Sequence, residues 1–350
     1  MTLKPVLLSF ISALLPRFGI WLLFLGLLTT TACREAKLNE AKKTIPTVNG
    51  PIPIEQLGFA LTHEHIMSNF GKDKGETSQY NEEALFKQVV PYLRKLKSLG
   101  VNSIFDCTTA YFGRRVDLLQ RISDSTGIQL ITNTGFYGAA NDRYIPPFAF
   151  ESDAMEISKI WIEEFRKGID GTDIRPGFIK LAFDEGIPSP IDIKLFTAGL
   201  LTHLSTGLTL AVHTGDNPEA VNQQLQLLEE YKVSSSAWIW VHANKVSDID
   251  ILLKTASKGA WISLDGVNTS NIDTFLQIID QFKSRNLLHR ILLSHDGNGF
   301  PRGGPIREFE AVPKELIPAM RIHGFTEREI DQIMIENPKN AFRIVVRKED

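Results

Sequence analysis

Short apolar runs alternate with longer amphipathic stretches from about residue 58 to residue 323 of this 350-residue chain. Runs such as Gly58-Phe-Ala-Leu-Thr-His-Glu-His-Ile66 and Leu208-Thr-Leu-Ala-Val-His213 contain no proline and are rich in aliphatic residues. That is the composition of strands buried on both faces. The pattern predicts strands over 58–66, 101–107, 128–135, 176–183, 208–213, 237–242, 260–264 and 290–296. Helical period predicts helices over 81–99, 115–126, 151–168, 191–206, 217–231, 247–258, 271–285 and 313–323. Strand and helix alternating eight times, over the usual length for one such domain, predict an α/β fold: a single-domain (β/α)8, or TIM, barrel. The stretch 326–346 predicts one or two further helices, broken at Asn337-Pro338.

The polar residues that interrupt the apolar runs gather at their C-terminal ends. His63 and His65 stand at i and i+2, and such a pair shares one face only if the backbone is extended. His213 and His242 each end an apolar run, and Asp296 ends another before a glycine-rich loop. Lys180 lies inside Gly177-Phe-Ile-Lys-Leu-Ala182, where an unpaired ammonium would be costly. The C-terminal rim is where barrel enzymes place their chemistry, and histidine and aspartate are metal-ligand types. Alternation counted back from His242 turns Trp240 and Trp238 into the barrel and Ile239 and Val241 toward the helices. The same count from His213 turns in Ala211 and Thr209. Large side chains beside small ones are what a filled barrel needs.

Taken together, Leu-Thr-His63-Glu-His65, Gly-Phe-Ile-Lys180-Leu-Ala, Val-His213-Thr-Gly, Val-His242-Ala-Asn and Leu-Leu-Ser-His-Asp296-Gly resemble the phosphotriesterase family of the amidohydrolase superfamily. The resemblance runs from about residue 58 to residue 342, including Glu-Asn-Pro-Lys-Asn-Ala-Phe near the end. It implies a (β/α)8 barrel with two divalent metal ions, zinc being the commonest. It also implies that His63, His65 and Asp296 bind one ion and His213 and His242 the other. Lys180, carboxylated by carbon dioxide, would bridge them as a carbamate. Burial lowers a lysine pKa and makes the neutral amine available for that reaction. Two shared metals acidify a bridging water to hydroxide and polarise an ester carbonyl or phosphoryl oxygen, and Asp296 would accept the proton.

The expected activity is therefore metal-dependent hydrolysis of ester-type bonds in a small molecule. A carboxylic ester or lactone is favoured and a phosphotriester remains possible. An amide hydrolase or deaminase is the alternative on the same scaffold, and a non-catalytic ligand-binding lipoprotein is the alternative outside enzymes. Two departures from the family pattern bear on substrate. Phosphotriesterases proper have an acidic residue where Lys245 stands and a histidine where Gly266 stands, and related lactonases often have an arginine at the latter position.

Other residues carry softer expectations. Tyr137, in Gly135-Phe-Tyr-Gly138, either lines the substrate pocket or packs as an ordinary aromatic. Glu64 faces away from its neighbours and serves as a structural partner beneath the site, and His295 takes a supporting role. His203, His289 and His323 are expected at the surface or at caps, and Arg114-Arg115 with Arg94, Lys95 and Lys97 as solvated charges. With 38 basic against 41 acidic side chains, the net charge of −3 gives no basis for nucleic-acid binding. A homodimer remains possible.

Residues 1–33 have the shape of an export signal. Lys4 and Arg17 flank apolar runs, and small residues precede Cys33 as in a bacterial lipoprotein box. The expected organisation is a signal peptide over 1–33, a polar tether over 34–48 and the barrel over 49–350. Localisation would be the bacterial cell envelope, with the chain held to the membrane through lipid on Cys33. A non-cleaved anchor helix is the alternative. With Cys33 lipidated, Cys107, the only other cysteine, has no disulfide partner and reads as a small buried residue.

Overall fold

The computed structural model describes residues 43–71 and 79–349, so the signal segment and Cys33 lie outside the described residues. A short hairpin, β1 (Thr44–Thr47) and β2 (Gly50–Pro53), precedes the barrel. The barrel strands follow as β3 (Ala60–His65), β4 (Ser103–Asp106), β5 (Gln129–Ile131), β6 (Asn133–Thr134), β7 (Phe178–Ala182), β8 (Leu210–His213), β9 (Trp238–Val241), β10 (Trp261–Leu264), β11 (Ile291–Leu293) and β12 (Gly297–Asn298). Two parallel sheets, ordered β12-β3-β4-β5 and β11-β10-β9-β8-β7-β6, account for all of them. Only Thr132 separates β5 from β6, and β11 continues into β12, so the two sheets form one eight-stranded barrel. Each expected strand and each expected helix is present within a few residues of its predicted limits. Among the described residues no helix is long and apolar enough to cross a membrane.

One residue from every strand fills the interior: Ala60, Phe105, Ile131, Phe178, Ala211, Ile239, Trp261 and Leu292 form a single apolar cluster. Phe342 stacks on Phe105 with ring centres 4.0 Å apart, and with Ile45 and Leu57 it closes the floor. This corrects the expected tether. Its last residues, Thr44–Thr47, are a strand whose Ile45 is fully buried. The reason is the apolar Ile45 and Val48, which give that end of the segment a surface to bury.

The orientation expected for the sixth barrel strand is reversed. Ile239 and Val241 face the interior, while Trp238 and Trp240 pack with the helix-side core. His242 is not part of the strand. Its backbone is left-handed, with φ +61°, and this turn re-aims the side chain after the regular alternation has ended. The expected helix break at Asn337-Pro338 is also absent. Glu327–Asp331, the π-helical Gln332–Glu336 and Asn337–Phe342 run on without interruption. A π turn likewise precedes Ile317-Pro318. The wider turn accommodates a residue with no N–H and a ring that would collide with the carbonyl four positions back.

Two charge expectations change as well. Arg114 is buried, donating to Asn133 O at 2.7 Å and pairing with Glu164 at 2.6 Å. His203 is fully buried at the end of the helix Pro190–Thr206. His289 and His323 are exposed, as expected.

Candidate metal centre

At the C-terminal ends of the strands, the structure brings His63, His65, Lys180, His213, His242 and Asp296 into one cluster. His63 Nε2 lies 3.5 Å, and His65 Nε2 3.3 Å, from Asp296 Oδ1. The His63 and His242 ring centres are 5.0 Å apart, and those of His213 and His242 4.4 Å. The first pair owes its orientation to an irregularity in β3. Pairing with β4 shifts register between Leu61 and Glu64, so the phase that points Ala60 inward is reset and the two histidines also point inward.

The rings are oriented from behind. Thr108 Oγ1 donates its hydrogen to Met67 O at 2.8 Å, so at 2.8 Å from His65 it accepts from Nδ1–H. That fixes the tautomer and leaves Nε2 as the free lone pair facing Asp296. Glu64, pointing the other way, accepts from Ser294 Oγ, from the N–H and Nδ1 of His295 and from Gly297 N. His295 Nε2 in turn accepts Val312 N–H at 2.9 Å. Glu64 and His295 thus pin the last strand to the first, the supporting roles expected of them.

Burial sets the electrostatics. It lowers the pKa of His65 to about 4 and of His242 to about 3, and holds that of His213 well below the ordinary value. All three are then neutral rings, the form that ligates a metal. Burial also pulls His63 down, but neighbouring Cys107 and Asp265 outweigh it and raise that pKa to about 10. A cation held there would displace the proton. For Asp296, burial pushes upward but is overcome by the hydrogen bond from His65 and the charges of His63 and His242, leaving it well below the usual carboxylate range.

Lys180 is fully buried, burial lowers its pKa, and its Nζ has no hydrogen-bond partner. A buried amine with no hydrogen-bond partner and a lowered pKa fits conversion to an anionic carbamate that two cations would hold. The donor set fits the implied metals: His63, His65 and Asp296 form one group able to hold an ion and His63, His242 and Asp265 a second, with His213 beside His242. Tyr137 reaches the same place, its hydroxyl 3.3 Å from His213 Nδ1 and its ring 5.8 Å from Lys180 Nζ. Its ring stacks on Phe112. Cys107, expected as a small buried residue, is a free buried thiol in the interior cluster.

Two residues of the site were not singled out from sequence. Asp265, one residue past β10, lies 3.3 Å from His63 Nδ1. Its signal was its position in Trp261-Ile-Ser-Leu-Asp265, in phase with the inward Trp261 at a strand's end. Arg307 reaches Asp296 from the loop beyond β12, and no local pattern marks it. A cavity of about 480 Å³ opens beside Asp296, lined in part by Gly266, Val267, Asn268, Arg307, Glu308 and Lys314. A Cβ at Gly266 would meet nothing within 4 Å, and its φ of +92° is one that glycine adopts without strain.

A parallel barrel with a cluster of histidines, a lysine and an aspartate at its C-terminal rim, some grouped closely enough to hold an ion, defines a candidate metal centre. The chain belongs to the phosphotriesterase family, whose sequence model matches residues 43–342. It is 25% identical over 295 residues to a phosphotriesterase homology protein of Escherichia coli, covering 82% of this chain and 98% of that one. It is 28% identical to an aryldialkylphosphatase of Saccharolobus solfataricus, covering 83% and 96% of the two chains. It is 26% identical to an N-acetyltaurine hydrolase of Xenopus tropicalis, covering 84% and 96%. Among solved structures, an organophosphorus hydrolase from Deinococcus radiodurans superposes with a TM-score of 0.77 at 25% identity, covering 86% and 97%. Proteins of the family are hydrolases with binuclear metal centres.

Proposed function

We propose that this protein is a two-metal hydrolase of carboxylic esters or lactones, with His63, His65, Asp296, His213, His242 and carboxylated Lys180 holding the ions. The observation that carries the reading is Lys180: fully buried, without a hydrogen-bond partner, and near the His213 and His242 imidazoles. When bound, two divalent ions supply Lewis-acid polarisation of the substrate and lower the pKa of water. The protein's own residues do the rest. Asp296, held anionic, accepts a proton at Oδ1 while Arg307 occupies Oδ2 at 3.2 Å. Tyr137 places its hydroxyl 3.3 Å from His213 Nδ1, where it would orient that ring. The cavity that Gly266 and Asp296 both line would take the acyl or leaving group.

An amide substrate is the second reading, favoured by the similarity to N-acetyltaurine hydrolases. Phosphotriesters are proposed to turn over slowly, because Lys245 and Gly266 stand where phosphotriesterases proper have an acid and a histidine. We also propose export and lipid attachment at Cys33, on the strength of the sequence before it.

Metal analysis of purified protein, followed by a panel of lactones, aryl esters, matched amides and phosphotriesters with and without chelator, tests the reading. The expected result is about two divalent ions per chain and chelator-sensitive ester or lactone turnover. Metal content near zero after growth in zinc or manganese would overturn it. An amide faster than every ester would move the assignment to the second reading.

A further inference from the structure

Asp265 stands behind both halves of the centre. Its carboxylate is fully buried, and Oδ1 lies 3.3 Å from His63 Nδ1 while accepting from Ser263 Oγ at 2.9 Å. His63 Nδ1 is buried and makes no hydrogen bond of regular geometry, and the Asp265 carboxylate faces the back of that ring across 3.3 Å. Oδ2 accepts the backbone N–H of His242 at 2.9 Å and lies 3.8 Å from its Nδ1. Asp265 is itself braced, its N–H donating to Asn244 Oδ1 at 2.9 Å. His242 has the left-handed backbone described above, a conformation that costs a non-glycine residue free energy unless something holds it. The bond to Asp265 is the side-chain contact made by that N–H.

We infer that Asp265 is a positioning residue that ties the two halves of the metal centre together, so that both ions are held or lost with it. One oxygen places negative charge 3.3 Å behind His63 Nδ1, on the side of the ring away from Asp296. The other fixes the turn that brings His242 back into the barrel. A carboxylate behind a ligating imidazole orients the ring and increases its basicity. Here a single carboxylate serves one histidine from each proposed set. His65, by contrast, has the Thr108 hydroxyl behind its Nδ1 and belongs to one set.

This inference rests on the proposed function, and metal binding separates the two. The full chain and its Asp265→Asn, Asn244→Ala and Thr108→Val variants would be loaded with zinc and titrated with a competing chelator, with circular dichroism reporting the fold. Asp265→Asn is expected to weaken both sites about tenfold to a hundredfold. Thr108→Val is expected to weaken one site only, and Asn244→Ala to weaken both by less than Asp265→Asn. Two ions held with unchanged affinity by Asp265→Asn would overturn the inference while leaving the proposed function standing. Should Asp265→Asn fail to fold, unchanged affinity in Asn244→Ala would overturn it instead. A wild-type chain that binds no zinc would overturn the proposed function and this inference together.

Discussion

Arg307 Nη2 lies 3.2 Å from Asp296 Oδ2, and Arg307 Nε donates to the backbone carbonyl of Asp296 at 2.8 Å. One guanidinium thus grips both the side chain and the main chain of a residue whose own φ is +53°. Gly266, where lactonases of the family often carry an arginine, has no side chain to offer Asp296. A cation from a different loop meets its outer oxygen instead.

Replacing Arg307 with Met is therefore expected to lower kcat by roughly tenfold or more, the worth of a charge-assisted hydrogen bond to the reacting carboxylate. Arg307→Lys keeps the charge but loses the fork, and should fall between the two. Steady-state kinetics on the preferred ester would check this, and wild-type rates in Arg307→Met would show that Asp296 needs no partner at Oδ2.

Lys180→Ala should remove activity and metal together, because the variant has no anion to bridge the ions. Added short-chain carboxylates should restore part of the activity by occupying the space of the carbamate. Mass spectrometry of metal-loaded wild-type protein under native conditions should find the added mass of carbon dioxide. Full metal content in Lys180→Ala would contradict the assignment.

His203 gives a pH-dependent prediction away from the centre. Its Nδ1–H donates to Leu208 O at 2.8 Å and its Nε2 accepts Arg347 N–H at 2.9 Å, so the fold accepts only the neutral ring. Burial lowers its pKa from the ordinary 6.5 to about 4. Between those values the unfolded chain binds a proton that the folded chain does not. The stabilisation is therefore full above pH 6.5 and is lost as the pH falls to about 4. The loss attributable to this residue is on the order of 3 kcal/mol. Because buried His65, His213 and His242 titrate in the same direction, the comparison is with His203→Asn. The difference in urea midpoint between the two proteins should shrink on acidification, and a difference independent of pH would refute the assignment.

Cys33→Ser is expected to release the protein from membranes or block its processing, since the multiple acyl chains of a bacterial lipoprotein anchor stably where one does not. Fractionation and migration identical to wild type would leave the apolar segment as an ordinary anchor.

The sequence by itself determined the eightfold alternation of strand and helix and the strand ends at which His63, His65, Lys180, His213, His242 and Asp296 stand. Strands covered on both faces must be apolar along their length, so a polar residue at the end of such a run is conspicuous without any knowledge of its neighbours. The tertiary structure decided which way those residues point and what holds them. Alternation is a local rule that lasts only while the backbone stays regular. The shift in β3 and the left-handed turn at His242 both break it, which is why Trp238 and Trp240 face the helices. Partners across a closed barrel leave no local trace at all. Glu64 and His295 are 231 residues apart in the chain, yet 2.6 Å separates their polar atoms. Asp265 behind His63, Arg307 on Asp296 and Glu164 beside Arg114 arise in the same way, because closure of the barrel and the packing of its helices fix those distances rather than spacing along the chain.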